Sequence, residues 1–340
     1  MYHVVSRRGT TPRPMEHPMD MIGTARITRA NDTTIAWGEL GSGPPLVLLH
    51  GLGDSHRTWR RAAPRLAERY RVLMPDLPGH GLSGRPDAPY TLDWYARTMS
   101  AWMESIGVGS AHVGGHSFGG GVAQWLLLEQ RSRVDRLALV AAGGLGREVG
   151  IGLRLATFPI LGPLLAPPLM RIGTRLMMNV AHGAFANPEP EEIDRIVWMN
   201  TAPRSGMAFQ RTVAGCIDLF GQTMQTWHRI HEVELPPIAL FWGDQDRIIP
   251  IQHALDAGSR LDFASVSTYA GCGHFPHLEQ TERFTRELCE FLGDTERVPG
   301  RLVARLPLTV RPRGPRAVMA RFFRRTLSAM RKAIAKLSLN

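Results

Sequence analysis

Gly115-His116-Ser117-Phe118-Gly119 sets a serine between two glycines, with an apolar run before it and a stretch of helical periodicity after it. A serine hydroxyl is a poor nucleophile until a base takes its proton, and a sharp strand-to-helix turn lifts its Oγ clear of the chain toward such a base. The two arms of such a turn come so close that the flanking residues must lack a Cβ, a condition Gly115 and Gly119 meet. Gly120 and Gly121 then allow the helix to pack tightly on a sheet, and its N-terminus brings partial positive charge beside a developing anion. Taken alone, the pattern also fits a glycine-rich turn with a passive serine, so its weight comes from the elements on either side.

Those elements follow a regular plan. Short apolar runs at 33–40, 45–50, 71–76, 111–117 and 136–142 read as strands, and helix-period segments at 59–70, 92–106 and from just after Ser117 to about 130 lie between them. This alternation predicts an α/β fold, a mostly parallel central sheet flanked by helices. From about residue 143 to 231 no strand-like run is visible, and the chain is rich in Leu, Met, Gly and Pro, which reads as a helical insertion. Strands at 237–242 and 264–269 and helices at 252–261 and 281–292 resume the plan. The expected organisation is a flexible segment 1–24, a core 25–143 and 232–293, a helical cap 144–231, and an Arg-rich tail 294–340.

With these elements in place, the sequence over about residues 25–293 resembles the α/β-hydrolase family, in its serine-hydrolase branch with a helical cap, carboxylesterase- or lipase-like. His50-Gly51-Leu52-Gly53 after the run PLVLLH matches the family's His-Gly-x-Gly, so the resemblance implies an oxyanion hole built from the backbone N–H groups of Leu52 and Phe118. Pro75-Asp76-Leu77-Pro78-Gly79-His80-Gly81-Leu82-Ser83 is similar to the family's loop after the fourth strand, where Asp76 is read as structural. In this fold the nucleophile precedes the acid and the acid precedes the histidine. Trp242-Gly243-Asp244-Gln245-Asp246 matches the family's Trp-Gly-x-x-Asp and makes Asp246 the acid, with Asp244 the decoy that faces solvent or caps a turn. Of thirteen histidines only His253, His274 and His277 follow Asp246. His274, in the glycine-flanked Gly271-Cys272-Gly273-His274-Phe275, is the expected base. His253 and His277 are expected in surface or capping roles, and His50 and His116 as supports of the oxyanion loop and the elbow.

The chemistry implied is acyl transfer: His274 takes the Ser117 proton as Oγ attacks an ester carbonyl, Asp246 fixes the imidazole, and water releases the acid from an acyl-enzyme. No metal or organic cofactor is needed. A serine at the elbow separates the chain from epoxide hydrolases and haloalkane dehalogenases, which the family places with an Asp there. Carboxylic esters with an apolar acyl group are the expected substrates, carbon–carbon bond hydrolysis is the alternative, and a catalytically weak ligand-binding protein of the same fold is an alternative of another class. Leu153, Leu155, Phe158, Ile160, Leu164, Leu165, Leu169, Met170, Met177 and Met178 would line a pocket for an acyl chain or aromatic acid, or form the cap's own core.

The net charge of +10 comes from the end of the chain: residues 297–340 hold twelve basic and no acidic residues, leaving 28 basic against 30 acidic before them. Met319, Phe323, Leu327, Met330, Ile334 and Leu337 recur at spacings of three and four, with Arg321, Arg324, Arg325, Lys332 and Lys336 largely elsewhere around the helix. Such a basic amphipathic helix can lie on an anionic membrane surface, dock on the body, or give way to a disordered solubilising tail. Nucleic-acid binding is not expected, since the basic residues lie outside the folded body. The first twenty residues are polar with three prolines and carry no signal-peptide pattern, and the run 155–170 is too short and proline-rich to span a membrane. Cys216, Cys272 and Cys289 form neither a zinc pattern nor a disulfide framework. The expected location is cytoplasmic, with a peripheral membrane association through the tail.

Overall fold

In the computed structural model, residues 22–155, 178, 180–181, 190–226 and 229–293 are described. Their centre is an eight-stranded sheet of strands β1 (Thr24–Ala30), β2 (Thr33–Leu40), β3 (Pro45–Leu49), β4 (Arg71–Pro75), β5 (Ala111–His116), β6 (Val134–Val140), β9 (Ile238–Gly243) and β10 (Ser265–Tyr269). Their order is β1-β2-β4-β3-β5-β6-β9-β10. The pairs β1–β2 and β2–β4 are antiparallel and the rest are parallel. The expected mostly parallel sheet is therefore present, with β5 near its middle.

Each central strand is buried on both faces, and its side chains alternate between two cores. Val47 and Leu49 of β3 enter the core shared with Tyr95, Val113, Leu139 and Trp242, while Leu46 and Leu48 enter the one shared with Trp59, Met74, Phe241 and Phe284. The first core lies under helices α2 (Leu92–Ser105), α3 (Phe118–Glu129) and α7 (Gln252–Arg260), and the second under α1 (Ala63–Leu66) and α9 (Thr281–Gly293). Between β6 and β9 the chain inserts α4 (Ile151–Leu155), α5 (Pro190–Asn200) and α6 (Ser205–Cys216), the helical region the sequence leads one to expect.

Three local readings need correction. The sequence gives no strand before residue 33, yet β1 pairs with β2 from Thr33 to Glu39; it is an edge strand with mostly exposed side chains, so it lacks the apolar alternation that marks a buried strand. The helix expected over 59–70 is instead a 3₁₀ turn at His56–Trp59 followed by the short α1, because Pro64 has no N–H to give and can only begin a helical turn. The insertion also contains a two-residue antiparallel pair, β7 (Ile217–Asp218) with β8 (Gly221–Gln222), too short to leave a period in the sequence. A short α8 (Pro276–Glu279) precedes α9. No described helix is long and apolar enough to cross a membrane. Residues 294–340, and Phe158, Ile160, Leu164, Leu165, Leu169, Met170 and Met177 of the expected pocket, lie outside the described residues.

Candidate active site

Ser117 is the single residue between β5 and α3, and its backbone adopts φ 52° and ψ −117°. A non-glycine residue there costs about 1–3 kcal/mol and persists only where its surroundings impose it. They do so here: the Ser117 N–H donates to the Val140 carbonyl at 2.9 Å, and its own carbonyl accepts from Gly120 at 3.0 Å and Gly143 at 2.9 Å. A Cβ on Gly115 would stand 2.4 Å from the Gly119 carbonyl oxygen, and one on Gly119 would stand 2.4 Å from that of His50. Both glycines are thus required by backbone packed against backbone, as their spacing suggests.

Strands β9 and β10 carry the other two groups to the same carboxyl-terminal edge of the sheet. Just past β9, Asp246 is buried and its Oδ1 accepts from the backbone N–H groups of Ile248 at 2.8 Å and Ile249 at 2.9 Å. Its Oδ2 lies 2.7 Å from His274 Nδ1. A carboxylate can only accept, so Nδ1 carries the proton and Nε2 is left with a free lone pair in the neutral ring. His274 is held from its backbone as well, donating its N–H to Ala181 at 2.6 Å and accepting at its carbonyl from His116 Nε2 at 2.9 Å. The His116 and His274 rings are 4.8 Å apart, which brings the loop of His274 against the residue next to Ser117. Burial first, and then His274 nearby, push the His116 pKa down to about 3, so this ring stays neutral and acts as a support.

The loop 50–55 completes the surroundings of the serine. His50 is buried with Nδ1 2.8 Å from the Gly51 carbonyl, and Nε2 accepts the Leu77 N–H at 2.8 Å, which ties the loop after β3 to the loop after β4. Asp76 closes that second loop, accepting from the His56 N–H at 2.7 Å and the Leu82 N–H at 2.8 Å, with His56 Nδ1 at 2.8 Å. Burial would raise its pKa, but His56 and these bonds hold the carboxyl well below the usual range. Leu52 and Phe118 both border, with Ser117, an apolar cavity of about 60 Å³ whose walls include Val149, Val213, Met224 and Ile249. Phe118 is the first residue of α3, and as such its N–H has no carbonyl partner within the helix. Among the described residues no group of three or more His, Cys, Asp or Glu is placed to hold a metal ion.

A model of the alpha/beta hydrolase family matches residues 46–287, spanning every one of these groups. The chain belongs to this family. It is a hydrolase of that fold, and its relatives differ in what they are known for. An uncharacterized protein of Mycobacterium tuberculosis is 33% identical over 263 residues, covering 75% of this chain and 77% of its own. The 2-hydroxy-6-oxo-6-phenylhexa-2,4-dienoate hydrolase of Burkholderia cepacia is 26% identical over 278 residues, 75% of this chain and 90% of its own. Among solved structures, a bacterial membrane phospholipase A superposes with a TM-score of 0.65 at 26% identity, over 79% of this chain and 86% of that one.

The remaining candidates fall into structural places in this hydrolase. Asp244 is exposed and caps a turn through Gly271 N–H at 2.8 Å, as expected of the decoy. The surface roles expected of His253 and His277 are corrected: both are buried. His277 Nε2 meets Thr58 Oγ1 at 2.9 Å beneath the Trp59 ring, and His253 Nε2 meets Glu148 at 3.1 Å, where neighbouring elements cover the helix faces they occupy. Of the expected pocket residues, Leu153 lines the cavity and Met178 packs against the core.

Sequence reading missed the residues that the insertion brings over the site. Arg195 and Asn200 of α5 contact the loop 53–55, and Thr212 and Gln222 join the lining of the cavity. Their partners lie far away along the chain, and no spacing rule links Arg195 to Asp54.

Proposed function

We propose that this hydrolase uses Ser117 as nucleophile, His274 as general base and then acid, and Asp246 to orient and stabilise the imidazole, with the Leu52 and Phe118 N–H groups receiving the oxyanion. The observation that carries this reading is the 2.7 Å Asp246–His274 pair, whose imidazole lies 4.8 Å from the ring of His116, the residue before the strained Ser117 that lines an apolar cavity. The unprotonated Nε2 of His274 can accept the Ser117 proton, and the α3 N-terminus favours negative charge beside it.

For the bond cleaved, likeness to known proteins favours a carbon–carbon bond next to a ketone over the ester expected from the sequence. The relative from Burkholderia cepacia acts on a dienoate that contains no ester, so water can divide it only at a carbon–carbon bond, and the likeness covers nearly all of that protein. In such a step Ser117 Oγ adds to the ketone carbon as its proton passes to His274. The bond to the conjugated chain breaks as His274 delivers its proton to the leaving carbon, so that the released electron pair forms a C–H bond and the chain departs neutral at that carbon. Water, deprotonated by His274, then frees the acid and restores Ser117.

Ester hydrolysis is retained as the second reading on one observation: the described walls of the cavity carry no Arg, Lys or His that would pair with a substrate carboxylate. A neutral ester with an apolar acyl group suits those walls. Purified protein and its Ser117→Ala variant should be given 2-hydroxy-6-oxo-6-phenylhexa-2,4-dienoate and a series of p-nitrophenyl esters in parallel. Removing the nucleophile should cost on the order of 10⁴–10⁶ in rate on whichever class is turned over. Turnover of esters alone would reverse the order of the two readings, and turnover that survives the substitution would refute the serine mechanism.

A further inference from the structure

Helix α5 of the insertion rests on the loop 53–55 through a buried chain of alternating charges. Arg195 lies on α5 with its side chain only 3% exposed, and its guanidinium donates to Asp54 Oδ1 at 2.8 Å, to Glu192 at 2.8 Å and to Ser55 Oγ at 2.7 Å. Arg60 continues the chain at 3.3 Å from Glu192, so two acids and two bases alternate and balance. Burial would by itself disfavour the charge of Arg195, and Asp54 and Glu192 more than offset it. One turn further on, Asn200 Nδ2 donates to the Gly53 carbonyl at 2.8 Å. Three consecutive residues, Gly53, Asp54 and Ser55, are therefore held from the cap helix, and the residue before them is Leu52.

Within the body of the protein the same loop is held more loosely. Its ends are tied, through His50 to Leu77 and through the Ser55 carbonyl to the Thr58 N–H at 3.1 Å, but the turn between them, Asp54 N–H to Gly51 carbonyl, is long at 3.3 Å and passes through Gly53 at φ +71°, where glycine is free to adopt other conformations. Lifting α5 would take from the loop the guanidinium on Asp54 and Ser55 and the amide on the Gly53 carbonyl together, so the loop would lose three anchors in one step. We propose that Arg195 and Asn200 are positioning residues: through Gly53, Asp54 and Ser55 they aim the Leu52 N–H at the oxyanion, so that seating of the cap helix and assembly of the oxyanion hole are one event. This rests on the reading of Ser117 and Leu52 given above, but not on which bond is cleaved.

An alkyl fluorophosphonate tests it on the full chain, since phosphonylation of a serine builds negative charge on the phosphoryl oxygen and expels fluoride without any need to know the substrate. Wild-type protein should be labelled and Ser117→Ala should not; an unlabelled wild type would overturn the serine reading and this proposal with it. The double variant Asp54→Asn/Arg195→Gln removes both charges, so that neither is left alone, and Asn200→Ala removes the hydrogen bond to the Gly53 carbonyl together with one to the Ile196 carbonyl of its own helix. The maximal labelling rate should fall on the order of ten- to a hundred-fold in the double variant and about three- to ten-fold in Asn200→Ala, below the cost of deleting an oxyanion donor outright. Half-saturating reagent concentration should stay within about two-fold, which a general loosening of the cavity would not preserve. Folded variants, shown so by circular dichroism, that label at the wild-type maximal rate would refute the proposal, as would a loss confined to half-saturation. If the double variant does not fold, Asn200→Ala decides by the same criterion.

Discussion

Replacing Asp246 by Asn tests the proposed chemistry through the direction of one proton. Oδ1 of Asp246 accepts two backbone N–H groups, from Ile248 and Ile249, while Oδ2 faces His274 Nδ1 at 2.7 Å. An asparagine has one oxygen and one NH₂, and only the oxygen can satisfy the two N–H donors, so its NH₂ must turn toward Nδ1. Nδ1 then becomes an acceptor and the ring proton moves to Nε2, where it blocks the acceptance of a proton from Ser117. The loss of kcat should be about 10³–10⁴, the scale known for a triad histidine trapped in the wrong tautomer. Asp246→Ala supplies the contrast. It removes the acceptor of both buried N–H groups at about 1–3 kcal/mol each, so it should cost roughly 2–6 kcal/mol of stability, whereas Asn should cost little. Steady-state kinetics on the substrate class found to be turned over, with urea denaturation of the three proteins, reads both quantities. An Asn variant within ten-fold of wild type would refute the assigned role of Asp246, and equal destabilisation by Asn and Ala would refute the orientation argued for the amide.

Gly115→Ala should prevent folding or lower the melting temperature steeply, because its Cβ would lie 2.4 Å from the Gly119 carbonyl oxygen; an unchanged melting curve would show that the turn can open. Val213→Phe, in the cavity wall, should raise KM for the bulkier members of a substrate series and leave the smallest nearly untouched; a uniform change would place the acyl site elsewhere. Stability should also fall on acidification below neutrality. Burial, followed by neighbouring His274 for one and His50 for the other, lowers His116 and His80 to about 3, so between pH 6.5 and 3 the unfolded chain binds protons there that the folded chain refuses. Each such group removes up to about 1.4 kcal/mol per pH unit as pH falls through that window. Glu148, lowered to about 2 by its hydrogen bond to His253, loses its stabilising contribution only below the ordinary carboxylate range, so the histidines govern the interval from pH 6.5 to 5. Urea midpoints that do not fall between pH 7 and 5 would contradict this.

Local chemistry made a good part of this protein readable before its structure was known. Glycines at 115 and 119 announce a turn because only a residue without Cβ tolerates backbone at that distance, and the apolar runs announce central strands because both faces of a parallel sheet are buried. The strand-to-helix alternation placed Ser117, Asp246 and His274 just past the ends of β5, β9 and β10, and the parallel pairing of those strands through β6 then put those ends on one edge of the sheet. What the residues could not announce depends on contacts between distant segments. The edge strand β1 has no buried face to create a period, and Pro64 alone decided where a helix breaks. His253 and His277 read as surface residues, since a lone polar residue gives no sign of what will cover it. Likewise nothing at Arg195 or Asn200 names Gly53, Asp54 or Ser55 as partners. That pairing exists only once the insertion folds back over the sheet, where a buried charge must find its opposite.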